Sequence, residues 1–144
     1  MVHAQALRGS PLEFNTATIP RDSGKTYQVE KWPMVTTSEL MTAELVEKKY
    51  GLYQIKLQFD AHGTRMLENY TATNPGKALI IGVMFQKILK KKEEVRWLAA
   101  PKINSSIRDG ILNFTPDADR KEAESIVMGL NNTVRKNNSS FFGL

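Results

Sequence analysis

The chain contains no cysteine, which excludes disulfides, thiolate metal sites and cysteine nucleophiles at once. Histidine occurs twice, at His3 and His62. Neither has a second histidine or a carboxylate cluster at ligand spacing, so no metal centre is expected. Phosphate-cradling and nucleophile motifs are missing too, with no GxGxxG, P-loop, GxSxG or HExxH. No apolar run approaches the ~20 residues that a bilayer-crossing helix needs, and MVHAQALRGSPLEF lacks the continuous apolar core of a signal peptide. The chain therefore reads as soluble, without cofactor or metal, and as a poor candidate for an enzyme.

What is present is one domain's worth of chain, 144 residues with 20 Lys plus Arg against 15 Asp plus Glu. The net charge of +5 favours anionic partners but is modest for a nucleic-acid binder. Residues 1–26 read as a flexible lead-in, with scattered Pro, Gly, Ser and Thr and no apolar period. Gly9-Ser10 and Glu13-Phe14 are pairs that cloning sites leave behind, so the first dozen residues are set aside from fold reasoning. Folding is expected over 27–135, and the polar stretch 136–144 reads as a frayed tail.

Within the folded part, IKLQFDAHGTRMLENY changes period at Asp60. Ile55, Leu57 and Phe59 alternate as in a half-buried strand, whereas Met66, Leu67 and Tyr70 recur at helical steps. Asp60 fits the cap between them. Asn74-Pro75-Gly76 stops that helix. ALIIGVMF (78–85) has the length and composition of a strand buried on both faces, and YQVEKWPMV reads as a short edge strand ending at Pro33. In FTPDADRKEAESIVMGL, Thr115 is the expected cap of a second helix, with Pro116 in its first turn and Asp117 and Asp119 complementing its dipole. Ala123, Ile126, Val127, Leu130 and Val134 fall on one stripe of it. Residues 36–50 stay ambiguous. Ser38 can cap a helix there, which propensity favours, or 43–48 can form a strand that turns at Tyr50-Gly51. The order of elements gives an α+β two-layer domain, a mostly antiparallel sheet with two helices packed on one face.

Six NxS/T triplets start at Asn69, Asn104, Asn113, Asn131, Asn137 and Asn138. Asn113 falls in a predicted strand and Asn69 in a helix, so they read as by-products of composition.

The motifs LQFDAHGTRML, NPGKALII, AAPKINSSI and NFTPDADRKEAESI, in that order and spacing, resemble the head part of the large extracytoplasmic domain of SecD. SecD is the auxiliary subunit of the bacterial protein-export translocase. The similarity spans about 30–131, and TTSELMTAELV resembles the family's lead into the domain, which tips 43–48 towards a strand. The chain departs from the family in three places. FQKILKKKEEVRWL lengthens a hairpin, the link between Ile107 and Phe114 is shorter, and nothing resembles the membrane helices that couple SecD to the proton gradient. The resemblance implies a non-enzymatic module outside the cytoplasmic membrane, periplasmic or at the cell surface, that captures unfolded polypeptide alongside other translocase subunits. It also implies Asp60 and Thr115 as caps and Gly63, Gly76 and Pro101 as turn or packing residues.

Polypeptide binding would use apolar pockets or a free sheet edge. Phe85, Ile88, Leu89, Trp97 and Leu98 of the long hairpin are the candidates, with core packing as the alternative fate of the same side chains. Lys90, Lys91 and Lys92 at its tip are the candidate anion contacts. They support a second reading, a free-standing interaction protein that binds anionic lipid or nucleic acid through a basic hairpin, and nucleic acid is the less favoured partner.

Overall fold

The computed structural model describes residues 1–5, 14–19, 25–30, 32–87 and 92–141. Along them run β1 (Val2–Ala4), β2 (Phe14–Ile19), β3 (Lys25–Glu30), β4 (Leu40–Glu47), β5 (Tyr53–Phe59), α1 (Ala61–Thr73), β6 (Leu79–Lys87), β7 (Lys92–Ala99), β8 (Ile111–Phe114) and α2 (Arg120–Phe141). Every described ladder is antiparallel, and together with the two helices this makes an α+β fold. The strands divide into a sheet β4-β5-β8, a sheet β1-β6-β7 and the hairpin β2-β3, where a single sheet was expected.

The alternation read from the sequence decides the first sheet. Ile55, Leu57 and Phe59 of β5 are buried with Ala43, Leu112 and Phe114 beside them in register, while Lys56, Gln58, Glu44 and Asn113 take the opposite, polar face. Leu67 of α1 and Ala123, Leu130 and Val134 of α2 join the same core as the apolar face of that sheet. Leu79, Ile81 and Leu98 bring the second sheet into it as well, whereas Ile80 packs with Val29 and Trp97 in a smaller cluster. Residues 79–82 of β6 are thus buried on both faces, as the apolar run predicts, whereas Met84 further along is exposed.

The segment 36–50 is a strand. Lys48 N–H donates to Leu52 O at 2.7 Å, closing a tight turn in which Tyr50 and Gly51 have φ of 62° and 73°. Leu40 and, beyond a register shift, Ala43 are buried opposite Phe59 and Leu57 of β5, and this cross-strand pairing and core contact outweigh helix-propensity differences of a few tenths of a kcal/mol per residue.

Asp60 Oδ1 accepts from Gly63 N–H at 2.9 Å at the start of α1. Gly63 lies against the sheet, and a Cβ there would meet Phe59 Cβ at 3.0 Å and Glu39 Cβ at 3.1 Å. At the far end, Asn74 Nδ2 donates to Tyr70 O at 2.9 Å and Gly76 turns with φ of 84°.

Three expectations are corrected. Residues 1–26 are not wholly a lead-in outside the fold, because Val2–Ala4 pair with Leu79–Ile81 and Val2 is completely buried, bridged on its other side to Val35. Composition hid this, since three residues are too few to show a period. The end of the chain is helical through Phe141, five residues past the expected start of the tail at 136, on a stripe anchored by Leu130 and Val134. Thr115 does not cap α2, which begins at Arg120. Asp119 Oδ1 accepts from Glu122 N–H at 2.8 Å instead. The reason lies in the preceding turn, where Asp117 N–H donates to Leu98 O at 2.7 Å and so draws 115–118 along β7 before the helix can start.

Candidate functional site

Among the described residues, two concavities stand out on this scaffold. The larger, of about 790 Å³, lies between α2 and β6. Ser125, Ile126, Gly129 and Thr133 form its helical wall, and Gly82 and Val83 lie on the strand side. The helical residues recur at three- and four-residue steps, so one face of α2 looks into the groove beside the stripe that packs on β4. Small side chains there leave the groove open; no atom lies within 4 Å of where a Gly129 Cβ would sit. Met84 in the lining and Met128 nearby on α2 are 62% and 64% exposed. Flexible thioethers on a surface adapt to varied apolar partners.

The second concavity, of about 680 Å³, lies where β7 and β8 approach each other. Leu98–Pro101 form one wall and Asn113–Asp117 the other, with Leu52–Gln54 between. The ladders fix where the backbone groups point. Phe59 N–H donates to Gly110 O, so Gly110, Leu112 and Phe114 face β5, and Ile111 and Asn113 face away from it. Leu79 N–H donates to Pro101 O, and by the same alternation Ala100 faces away from β6. The two edges meet at the Asp117–Leu98 backbone bond.

Charge between the two concavities is concentrated on Arg96. Its Nη1 lies 3.3 Å from the buried Asp117 carboxylate and donates to Trp97 O, its Nε lies 3.1 Å from Glu122, and its Nη2 donates to Asp117 O. This cluster ties β7 to the entry of α2. Sequence reading missed it, because Arg96 sits among charges that looked solvated; the period-two position of Arg96 beside Trp97 was the available signal. His3 is buried against Trp97, with ring centroids 5.1 Å apart, and its Nδ1–H donates to Glu30 O at 2.9 Å. Burial is the main cause of its lowered pKa. His62 lies apart, exposed, 3.5 Å from Glu39. Among the described residues no cluster of three metal-ligating side chains forms.

The residues singled out by sequence are dispersed. Leu98 is core, 1% exposed, and its side chain is not available on the rim. Trp97 is half-buried over Gly82 and His3. Ile88, Leu89, Lys90 and Lys91 lie outside the described residues, as do the side chains of Phe85 and Lys92, although β6 and β7 do form the expected hairpin. Pro101 and Thr115 both line the smaller cleft. Asp60, Gly63 and Gly76 lie at the two ends of α1, away from both concavities.

A family model described as the SecDF P1 head subdomain matches residues 13–133. Two solved structures are similar. One is described as a membrane component SecDF that enhances protein export. It shares 27% identity over 69% of this chain and 40% of its own, with a TM-score of 0.54. The other is SecDF in a "Super-membrane-facing form", 26% identical over 71% of this chain and 12% of its own, with a TM-score of 0.57. The chain thus spans well under half the length of either. No curated protein matches it. No described helix is long and apolar enough to cross a membrane.

Proposed function

The chain belongs to the SecDF P1 head subdomain family, and from that premise we propose that it is a non-enzymatic polypeptide-binding module that serves protein export on the outer side of the cytoplasmic membrane. The observation that carries the reading is the groove between α2 and β6, open along one helical face and lined on its strand side by Met84, which is 62% exposed. An export module meets many sequences, and a mostly apolar, adaptable surface suits partners that share exposed apolar side chains, while the hydroxyls of Thr36, Thr37, Ser125 and Thr133 and the Arg96–Glu122 pair on its walls can meet their backbone. Translocase subunits are the further partners this reading implies.

Gly129→Leu tests it. The new side chain enters open space on the groove wall, and replacing a helical glycine adds roughly 0.5–1 kcal/mol of helix stability, so folding is retained. Titrating an unfolded, signal-bearing peptide against both proteins should show affinity reduced about tenfold in the variant. Equal affinity, or no binding by the unaltered chain at millimolar peptide, refutes the proposal.

A further inference from the structure

We propose that the cleft between β7 and β8 is a strand-addition site, in which an extended segment of polypeptide pairs its backbone with the outward-facing groups of Asn113 and Ala100. The inference rests on the polypeptide-binding reading above but concerns a different place and a different mode of recognition. Three observations carry it.

The backbone comes first. Asn113 presents an N–H and a C=O to the cleft from the free side of β8, and Ala100 does the same from the free side of the β7 extension. Beyond the Asp117–Leu98 bond, no backbone hydrogen bond joins the two edges among the described residues. Unpaired strand edges are templates for a further strand, and folded proteins usually blunt them. The contrast with β4 is informative. There the outward-facing N–H and C=O of Ala43 are both taken by the side-chain amide of Asn131, at 3.0 and 2.9 Å. One edge of the sheet is closed by a helix, and the other opens into a cleft.

The second observation is the lining. Leu52 and the half-buried Pro101 present apolar surface beside those backbone groups, Leu52 being 64% exposed, while Phe114 and Pro116 lie buried beneath them. Alternate side chains of an added strand point to opposite faces, so every second one would meet this surface while its neighbours stay in water. Charge is the third. Lys102 follows Pro101 and Lys48 pairs with Leu52 through the backbone; both side chains are exposed and neither forms an ion pair among the described residues. An extended segment with apolar alternation and acidic ends matches this rim. Backbone pairing is indifferent to sequence, which suits a site that meets many unfolded chains.

The test uses the full chain, isotope-labelled, with a short synthetic peptide that alternates Val and Ser and carries Asp at each end. Binding should slow amide exchange at Asn113 and Ala100 at least tenfold. N-methylation of the peptide should weaken binding roughly tenfold per site in both alternate sets of residues, because one set of N–H groups faces the Asn113 edge and the intervening set faces the Ala100 edge. Asn113→Pro removes an N–H that the β5 ladder does not use and should weaken the peptide without unfolding the sheet. Should that variant fail to fold, the methylation series on the unaltered chain still decides. Gly129→Leu should leave this binding unchanged. Peptide binding without amide protection, or binding indifferent to N-methylation, or binding lost on Gly129→Leu, overturns the strand-addition site and leaves the broader reading standing. Protection of the same amides on concentrating the chain alone would assign the cleft to a second copy and overturn it too. No peptide binding of any kind overturns both.

Discussion

Replacing Asn131 by alanine tests how the fold closes its exposed strand edge. Asn131 lies on α2, and its side-chain amide donates to Ala43 O at 2.9 Å and accepts from Ala43 N–H at 3.0 Å, imitating a neighbouring strand. Each such bond contributes about 1 kcal/mol net, which gives roughly 2 kcal/mol for the pair. Alanine recovers part of this, since it is favoured over asparagine by up to about 0.7 kcal/mol in a helix interior. The expected loss is therefore about 1.5 kcal/mol, read as a shift of the urea midpoint at unchanged slope, or as a fall of about 4 °C in Tm for a chain of this size. Hydrogen exchange at the Ala43 amide should accelerate in the variant. Asn131→Asp gives the sharper comparison, because it keeps the shape and the acceptor but sets a carboxylate against the Ala43 carbonyl. It should cost at least as much as alanine. A loss below about 0.5 kcal/mol for Asn131→Ala, with Ala43 protection unchanged, would refute the idea that this amide closes the edge.

The cap of α2 separates two readings of the same turn. Asp119→Ala should destabilise the chain by about 1 kcal/mol, whereas Thr115→Ala should stay within about 0.5 kcal/mol; the reverse order in chemical denaturation would restore Thr115 as the cap. His3 sets a pH dependence. Burial holds its pKa below the ordinary 6.5, the Glu30 carbonyl partly offsets this, and the positive Met1 amino group lowers it further. The native state therefore binds a proton less readily than the unfolded one. Stability should be level above about pH 6.5 with respect to this group and should fall as pH drops below that value. The Met1 amino group, pushed down to about 6 by burial, acts in the same direction between pH 8 and 6. His3→Asn should flatten the limb below pH 6.5 and leave the limb above it; denaturation midpoints from pH 5 to 8 decide, and an unchanged acidic limb counts against His3.

Elements with enough residues to show a period were legible without coordinates. Ile55, Leu57 and Phe59 could only be a half-buried strand, and Asp60 before Met66, Leu67 and Tyr70 could only be a strand-to-helix joint. Shorter or conflicting signals were not. Val2–Ala4 have three residues, and only the Leu79–Ile81 partner strand identifies them as a strand. Thr115 and Asp119 are equally good caps in isolation, and the choice is made by a hydrogen bond from Asp117 to Leu98. The family likeness was carried by the order of four motifs, none specific alone, and the family model matches residues 13–133. The site was hardly legible at all. Leu98 and Trp97 were candidates for peptide contact with core packing as the alternative, and Leu98 is core while Trp97 half-covers a glycine and a histidine.

Sequence alone determined the two helices, the polar and apolar faces of its strands and the family it resembles, because composition and short-range period express which atoms avoid water. Tertiary structure alone decided that the strands form two sheets and a hairpin, that Asn131 closes one edge, and that a groove and a cleft lie beside α2 and β8. Those outcomes depend on which distant backbone groups find each other, and hydrogen bonds between residues as far apart as Ala43 and Asn131 leave no trace in local pattern.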